Sequence, residues 1–227
     1  GFTYLVFNLN FPGITREHRA FFYNYLLRSN FVSRFLGDRG EEVVSPFPGT
    51  GKTEPGGVNE PLREPVTINV TVNGESRLRR NMVLFLRRHL KPYNIHLEPV
   101  FLEYGVFLEA LKKGKYEAAI SGFLLNDSDD IRAIFSRDSY FNYARLDCAP
   151  LEEILDMAAA EPDKSKRAEY YRKAHRLWLK HLPLIPLCRL YYYMGVSNRI
   201  NPPARPIKIM GATGDFLYHI DRWKTKK

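Results

Sequence analysis

The chain has 227 residues, of which 44% are hydrophobic and 26% charged, which is ordinary for a globular protein and long enough for one core or two small ones. No stretch approaches the roughly 18 consecutive apolar residues of a membrane span, and no charged-then-apolar leader opens the chain, so we expect any export signal to lie outside this sequence. The formal net charge of +9 at pH 7 is typical of proteins that bind an acidic partner. Whether this interpretation applies depends on where the basic residues lie in the fold.

The first predicted elements are a strand and a helix. Residues 2–9 (FTYLVFNL) form an extended, β-rich segment that ends before the Phe-Pro-Gly sequence at 11–13. Thr15 begins a strongly aromatic helix, which we expect to break near Asn30 and to end by Gly37.

A proline- and glycine-rich segment follows, from Glu41 to Pro65, and is predicted to be a long surface loop. It contains PFPGTGKTEPGG, which resembles a phosphate-binding loop only in part. Pro46 stands where that motif needs its first glycine, no strand precedes it, and Glu-Pro-Gly-Gly cannot begin the helix that must follow. We therefore expect no nucleotide site here.

The next segment predicts a strand followed by a helix. Val66 to Val72 alternates apolar and polar residues, is rich in β-branched side chains and ends at Asn-Gly, which is typical of a strand. Apolar residues at helical spacing then predict a helix that extends through Lys91 and is closed by Pro92.

The stretch from 95 to 143 predicts a strand, a helix, a second strand and an acidic loop. Residues 95–100 are extended, and apolar residues at helical spacing precede Gly114, a suitable helix stop. The apolar segment 116–121 is too short for a helix and predicts a buried strand. Two strands joined by a helix are most simply parallel, and ligands bind beyond the carboxyl ends of such strands. The loop 122–130 (GFLLNDSDD) is therefore the first candidate ligand site.

Two helices and a strand are predicted in the last third of the chain. A helix from Leu151 to Ala160 is followed by a break at Pro162 and a longer helix. The inward-facing stripe of that longer helix is predicted to be Ala168, Tyr171, His175, Trp178 and Leu182. Residues 184–196 are extended, and Pro186 suggests an edge position for that strand.

Motifs for catalysis or metal binding are lacking. There is no GxSxG, no HExxH and no Cys-His spacing of a known kind, so we expect no enzyme, no catalytic residue, no cofactor and no metal. An EF-hand counted from Asp127 fails at Ile131 and Arg132, so we prefer a helix cap by Asp127 or Asp129, which can also contact a ligand. Cys148 and Cys188 leave both a single bridge and two free thiols open.

Three segments resemble the C-terminal half of the peptide-type (dipeptide, oligopeptide and nickel) solute-binding proteins of ABC importers. The first is 4–27 (YLVFNLNFPGITREHRAFFYNYLL), with Arg19 at the family's arginine, and the second is 102–123 (LEYGVFLEALKKGKYEAAISGF). The third is 141–187, which contains FNYARLDCAPLEEILDMAAAEPDKSKRAEYYRKAHRL and ends in PLIPL. The three lie in the family's order and spacing.

The resemblance implies a fold and a function. Residues 1–227 would form a single α/β lobe of the periplasmic-binding-protein type, with a mixed, mostly parallel sheet flanked by helices, and 201–227 would be a hinge and C-terminal tail. This lobe would close with a first lobe, absent here, on a small solute, with a peptide favoured. The implied protein is a monomeric, non-catalytic, extracytoplasmic component of an ABC transporter, periplasmic or membrane-anchored, that works with the importer's membrane subunits. A sensor or chaperone that has lost transport is a further option.

The resemblance also implies site residues. Aligning the loop with the family's pattern places Phe123 at a cleft tryptophan and Asn126 at the aspartate that anchors the ligand's α-amine. Tyr104 falls where another cleft tryptophan stands. The candidate ligand-binding set is Tyr104, Phe123, Leu125, Asn126, Asp127 and Asp129.

Several positions depart from the family's pattern. Asn126 is neutral, so the ion pair to the amine is lost unless Asp127 replaces it. Leu111 and Ile120 occupy the positions that we match to arginines for the ligand's carboxylate, and Leu27 replaces an aspartate of the first helix.

The alternative function is a basic α/β domain that binds nucleic acid or an acidic surface. Arginines flank the helix around 77–88, and the basic residues of the helix 164–180 are mixed with acidic ones. Because no zinc-finger, RNA-binding or helix-turn-helix motif accompanies them, we favour solvated helix faces and no nucleic-acid partner.

Overall fold

The computed structural model describes residues 1–53, 61–123, 130–191, 197–201 and 223–225. Within these ranges the α-helices are α1 (Arg16–Arg28), α2 (Phe31–Leu36), α3 (Arg77–Leu90), α4 (Tyr104–Lys113), α5 (Ala149–Ala160) and α6 (Lys164–His181). The strands are β1 (Phe2–Phe7), β2 (Gly40–Glu41), β3 (Val66–Asn73), β4 (Ile95–Leu102), β5 (Ala118–Phe123), β6 (Leu184–Leu190), β7 (Ile200–Asn201) and β8 (Lys224–Thr225).

Six of these strands form one mixed sheet in the order β2-β6-β1-β5-β3-β4. β3 pairs in parallel with β4 and β5, while β1 pairs antiparallel with β5 and β6, and β2 pairs antiparallel with β6. β4 and β5, the two strands predicted to be parallel, point the same way with β3 between them. The predicted mixed α/β fold is confirmed, and its parallel pairing is confined to β4-β3-β5.

Local sequence signals placed the helix ends correctly. Thr15 caps α1 through a reciprocal pair of hydrogen bonds with His18, and the predicted break occurs at Asn30, which adopts a left-handed conformation with φ 49°. Gly114 ends α4 with φ +66°, a conformation that glycine adopts without steric cost. These interactions span only a few residues, which is why the sequence alone predicts them.

The predicted edge position of the last long strand is wrong, because β6 lies between β2 and β1. The register against β1 shifts before Tyr4, which pairs with Pro186. β2 pairs with β6 only at Arg189 and Leu190, so within the described residues no strand bonds to the other side of Pro186. A proline is tolerated there because no ladder hydrogen bond is required from it. Of the predicted extended segment, 192–196 lies outside the described residues.

The predicted surface loop at 41–65 is partly buried. Phe47 is 2% exposed and stacks on Phe135 at 5.4 Å between ring centroids. The Ser45 hydroxyl lies 2.9 Å from Nδ1 of His175 in α6 and accepts the backbone N–H of Phe47. The first part of the loop is therefore fixed to the core, while 54–60 lies outside the described residues.

The predicted inward stripe is confirmed at Tyr171, His175 and Trp178 of α6 and at Leu182, which caps the helix end; all four are buried, whereas Ala168 is half-buried. Trp178 is fully buried, and its indole N–H donates to the carbonyl of Leu184 at 3.1 Å.

Both cysteines are free and buried, so no disulfide joins Cys148 to Cys188.

We expect the protein to lose stability as the pH falls below 6.5. Burial lowers the pKa of His175 from its ordinary value of 6.5, and its Nε2 has no partner among the described residues. The unfolded chain therefore binds more protons between the two pKa values, so the stabilisation present above pH 6.5 is lost as the pH drops. His175→Gln should flatten this slope, as measured by urea unfolding between about pH 5 and 7.5.

Part of the slope should remain in that variant, because burial also lowers the pKa values of His18 and His181. A His175→Gln protein whose stability falls with pH as steeply as that of the parent would contradict the prediction.

Candidate functional site

The carboxyl ends of the three parallel strands lie at one edge of the sheet. β3 and β4 end in register at Asn73 and Leu102. β5 continues past Ile120, its last pairing position with β3, and its final residues Ser121 to Phe123 pair only with β1. The side of β5 that faces β3 is therefore open at this end, next to the first turn of α3. Ligands of open α/β sheets bind at such an edge.

Arg79, from the first turn of α3, reaches this open end of β5. A Cβ atom built at Gly122 would lie 3.0 Å from Nη2 of Arg79, so the missing side chain of Gly122 leaves room for the guanidinium. Burial lowers the pKa of Arg79, and the nearby hydroxyls of Tyr4 and Tyr104 act in the opposite direction. No acidic residue of the described ranges forms an ion pair with Arg79.

Tyrosine hydroxyls surround the same point. Burial raises the pKa of Tyr4, while a hydrogen bond with Ser121 lowers it. Burial also raises the pKa of Tyr143, and the hydroxyl of Tyr104 adds to that effect. Arg79 is therefore within electrostatic reach of Tyr4 and Tyr104, and Tyr143 is within reach of the same two phenols, while Tyr4, Tyr143 and Ser121 are themselves buried. Of these groups Arg79 and Tyr104 are accessible to solvent, and their N–H and O–H groups can donate hydrogen bonds to an anionic or carbonyl oxygen.

A solvent-accessible group of rings adjoins these polar groups, and we call it the aromatic surface. It consists of Tyr104, Phe123, Tyr140 and Phe141. Tyr104 is 48% exposed, Tyr140 53% and Phe141 46%, so about half of each ring is open to solvent. Phe123 is half-buried and meets Phe141 edge-on, with 6.4 Å between ring centroids. Apolar area of this kind is available to cover a ligand.

Two of the predicted site residues, Tyr104 and Phe123, lie at this edge of the sheet and are accessible. The other four, Leu125, Asn126, Asp127 and Asp129, lie outside the described residues, so their part of the site remains a prediction. Leu111 and Ile120, at the positions matched to carboxylate-binding arginines, are both fully buried.

Sequence reasoning missed Arg79, Tyr140 and Phe141. Ligands bind beyond the carboxyl ends of parallel strands, which applies to the end of β3 as well as to the end of β5. Arg79 lies in the first turn of the helix that follows β3. Adjacent aromatic residues in the loop sequence SYFNY were a second available signal.

A salt-bridge network fixes the chain just beyond the candidate loop. The Arg132 guanidinium bonds the Asp130 carboxylate at 2.7 Å and reaches Asp156 of α5 at 3.1 Å. Hydrogen bonds from Arg132 lower the pKa of Asp130, whose carboxylate also accepts the backbone N–H of Arg132. The helix expected to follow the predicted caps Asp127 and Asp129 is a 3-10 turn (Arg132–Ile134) without a side-chain cap, and the two predicted caps lie outside the described residues.

The fold brings one cysteine and one histidine together, which the sequence did not indicate. Sγ of Cys148 lies 3.7 Å from Nε2 of His181. The charged groups acting on His181 are the cations Arg19 and Lys180, and burial lowers its pKa. Within the described residues no carboxylate orients this imidazole, as a catalytic triad would require. Neither a cluster of three metal-ligating side chains nor a helix able to cross a membrane occurs in that part of the chain.

Comparison with known proteins shows similarity of fold. No protein-family model and no curated protein matches the sequence. Among solved structures, the oligopeptide-binding protein AppA of Bacillus subtilis, in complex with a nonapeptide, superposes with a TM-score of 0.69 and 16% identity over 100% of this chain. The Escherichia coli murein tripeptide binding protein MppA gives 0.70 and 12% over 88%. NikA of Staphylococcus aureus, in complex with Ni(L-His)2, gives 0.68 and 11% over 82%.

The chain spans about half of these proteins, since the matches cover 51%, 44% and 44% of their respective lengths. It has the fold of one part of peptide- and nickel-type solute-binding proteins, which confirms at the level of the fold the resemblance drawn from the sequence.

We expect the salt-bridge network to contribute to stability. Arg132→Gln leaves both Asp130 and Asp156 without their shared partner and should lower the free energy of unfolding by about 1 kcal/mol, or Tm by about 2–4 °C. Arg137→Gln is the matched control, because Arg137 pairs with Asp147 alone at 3.2 Å and both side chains are exposed. Its effect should stay below about 0.5 kcal/mol. Equal effects of the two variants in thermal unfolding would contradict the prediction.

Proposed function

We propose that this chain is one lobe of the extracytoplasmic substrate-binding component of an ABC importer, which grips a small solute, in the first place a peptide, without transforming it. The fold similarity supports a solute-binding role. The observation that carries the proposal is the half-buried guanidinium of Arg79 at the carboxyl ends of the parallel strands, beside the open aromatic surface.

Arg79 is proposed to bind the ligand's carboxylate. A guanidinium that has lost part of its hydration gains more from a planar, bidentate carboxylate than a fully solvated one does. Tyr104 is about half exposed and lies within electrostatic reach of Arg79, so its hydroxyl can supply a further donor. Leu111 and Ile120 occupy the positions matched to carboxylate-binding arginines, and both are fully buried. The proposal therefore assigns that role to Arg79, which lies at the same edge of the sheet.

The aromatic surface is proposed to bind the apolar part of the solute. Burial of a large side chain typically contributes about 1.5–3 kcal/mol, and each ring here has about half of its surface left to bury. Asn126 or Asp127, which belong to the predicted part of the site, would orient the other end of the ligand. A carboxylate at one end, a polar group at the other and rings between them fit a short peptide.

A second lobe is proposed to complete the enclosure, because an open edge of this kind covers only one side of a ligand. The match to about half of each solved relative supports this architecture. The importer's membrane subunits as partners, the extracytoplasmic location and the monomeric state belong to the same proposal. A non-catalytic role agrees with the imidazole of His181 being flanked by cations rather than by a carboxylate.

The chain of 227 residues alone should bind peptides weakly or not at all, since closure supplies most of the enclosure. Titration calorimetry with a pool of synthetic tripeptides should show no binding in the micromolar range. Micromolar binding by this chain alone would contradict the two-lobe proposal.

In the two-lobe protein, Arg79→Gln should weaken tripeptide binding by about 10- to 100-fold, the loss expected for a charged hydrogen bond. Arg80→Gln, one residue away, removes the same charge from an exposed side chain that lies over Phe101, and should change affinity less than twofold. The comparison uses calorimetry with the tripeptide that binds most tightly to the parent.

A second pair of ligands tests the assigned partner of Arg79. Amidation of the tripeptide's C-terminus should weaken binding to the parent and to Arg80→Gln, but should have little further effect on Arg79→Gln. If amidation weakens binding to Arg79→Gln as much as to the parent, Arg79 does not bind the carboxylate. Asn126→Asp and Asp127→Asn test the predicted opposite end in the same assay, and unchanged affinity in both would remove those residues from the site.

A further inference from the structure

The exposed side of α3 carries four arginines and no acidic residue. The helix has the sequence RLRRNMVLFLRRHL, which contains no acidic residue. Its inward side is formed by Met82, Leu86 and Leu90, all fully buried. The residues opposite them share about a third of the helix circumference. These exposed residues are Arg77, Arg80, Asn81, Leu84, Arg87 and Arg88, continued by Lys91.

The sheet edge extends this side of the helix. β4 is the last strand of the sheet, and two arginines of α3 reach it. Arg87 pairs with Glu98 at 3.2 Å, and the Arg80 guanidinium lies over the ring of Phe101 at 5.4 Å. Phe101 is 43% exposed, and Val100 beside it is also exposed. We call this combination of the exposed side of α3 with Phe101 the α3 surface.

Most of the charge on the α3 surface has no counter-charge. Arg87 is paired, but Arg77, Arg80, Arg88 and Lys91 form no ion pair with an acidic residue of the described ranges. These four cations extend along about 20 Å of helix and its continuation. The basic residues of α6 differ, because acidic Glu169 stands among them beside Arg172.

Apolar side chains lie within this basic area. Leu84 is 44% exposed at the centre of the cationic stripe, and the exposed ring of Phe101 lies beneath Arg80 at its margin. The headgroup region of a membrane offers phosphates to guanidinium groups and an apolar layer to side chains such as leucine and phenylalanine. A nucleic-acid duplex offers the phosphates without the apolar layer. Because Arg80 already covers one face of the Phe101 ring, that face cannot stack on a base.

We propose that the α3 surface docks on a membrane rich in anionic phospholipid. Arg77, Arg88 and Lys91 contact the lipid phosphates, and Leu84 and Phe101 enter the headgroup layer. This docking does not depend on the proposed solute-binding function, because Arg79 belongs to the same helix turn but faces the strand ends rather than the α3 surface.

The test is co-sedimentation of the 227-residue chain with vesicles. Vesicles of phosphatidylglycerol and phosphatidylcholine in a ratio of about 3:7 should bind the chain, whereas pure phosphatidylcholine should bind it at least about tenfold more weakly. Raising the salt to about 0.5 M should release it, since the attraction is screened. Equal binding to both vesicle types, or to neither, overturns the proposal.

The triple variant Arg77→Gln/Arg88→Gln/Lys91→Gln should weaken binding to the anionic vesicles about a hundredfold, because each basic residue near such a surface contributes roughly fivefold. The matched control removes three exposed charges of α6 by Lys164→Gln/Arg176→Gln/Lys180→Gln and should bind as the parent does. Leu84→Ser tests the apolar contact and should weaken binding without changing its salt dependence.

Two results separate this proposal from general charge effects and from nucleic-acid binding. Equal loss in the α3 and α6 triple variants would show that net charge alone is responsible, and would overturn the proposal. A DNA duplex of about 20 base pairs that binds more tightly than the anionic vesicles at the same salt, and loses affinity in the α3 variant, would assign the surface to nucleic acid instead. Circular dichroism confirms that each variant is folded.

Discussion

The antiparallel strand β1 is the interaction on which the rest of the structure depends. All six of its residues are buried, and it pairs along its whole length with β5 on one side and from Thr3 to Val6 with β6 on the other. It joins the parallel part of the sheet to β6 and β2, which pack against α1 and α2. It also supports the last three residues of β5, which β3 does not reach. The open edge beside Arg79 exists because β1 holds β5 extended beyond its parallel neighbour.

The sequence predicted what short-range physics determines and missed what distant contacts determine. Thr15, Asn30 and Gly114 act on residues a few positions away, so the ends of α1 and α4 followed from residue type. The edge position predicted from Pro186 was wrong, because a proline is tolerated in β6 where β2 ends before it reaches that residue. The candidate site divides in the same way. The strand–helix–strand pattern predicted the loop that contains Phe123, and the resemblance to solute-binding proteins implied Tyr104, whereas the approach of Arg79 to Gly122 depends on the pairing of strands far apart in sequence.

The first turn of α3 serves two surfaces at once. Consecutive residues of a helix are about 100° apart, so Arg79 turns toward the strand ends while Arg77 and Arg80 face solvent. The arginines of this helix therefore lie in two different environments. One guanidinium is partly desolvated beside tyrosine hydroxyls, and its neighbours remain hydrated and unpaired. A simple count of positive charges cannot distinguish these environments, which is why composition alone gave an ambiguous answer.

The pairing of Phe2 with Phe123 joins positions that are more than a hundred residues apart. Contacts of such long sequence separation form slowly, because the entropy of closing the intervening chain opposes them. The units β3-α3-β4 and β4-α4-β5 need only nearby residues and can assemble earlier. We therefore expect the sheet edge at the candidate site to be completed late in folding, when β1 inserts at the middle of the sheet, and until then the edge of β5 that pairs with β1 stays unpaired.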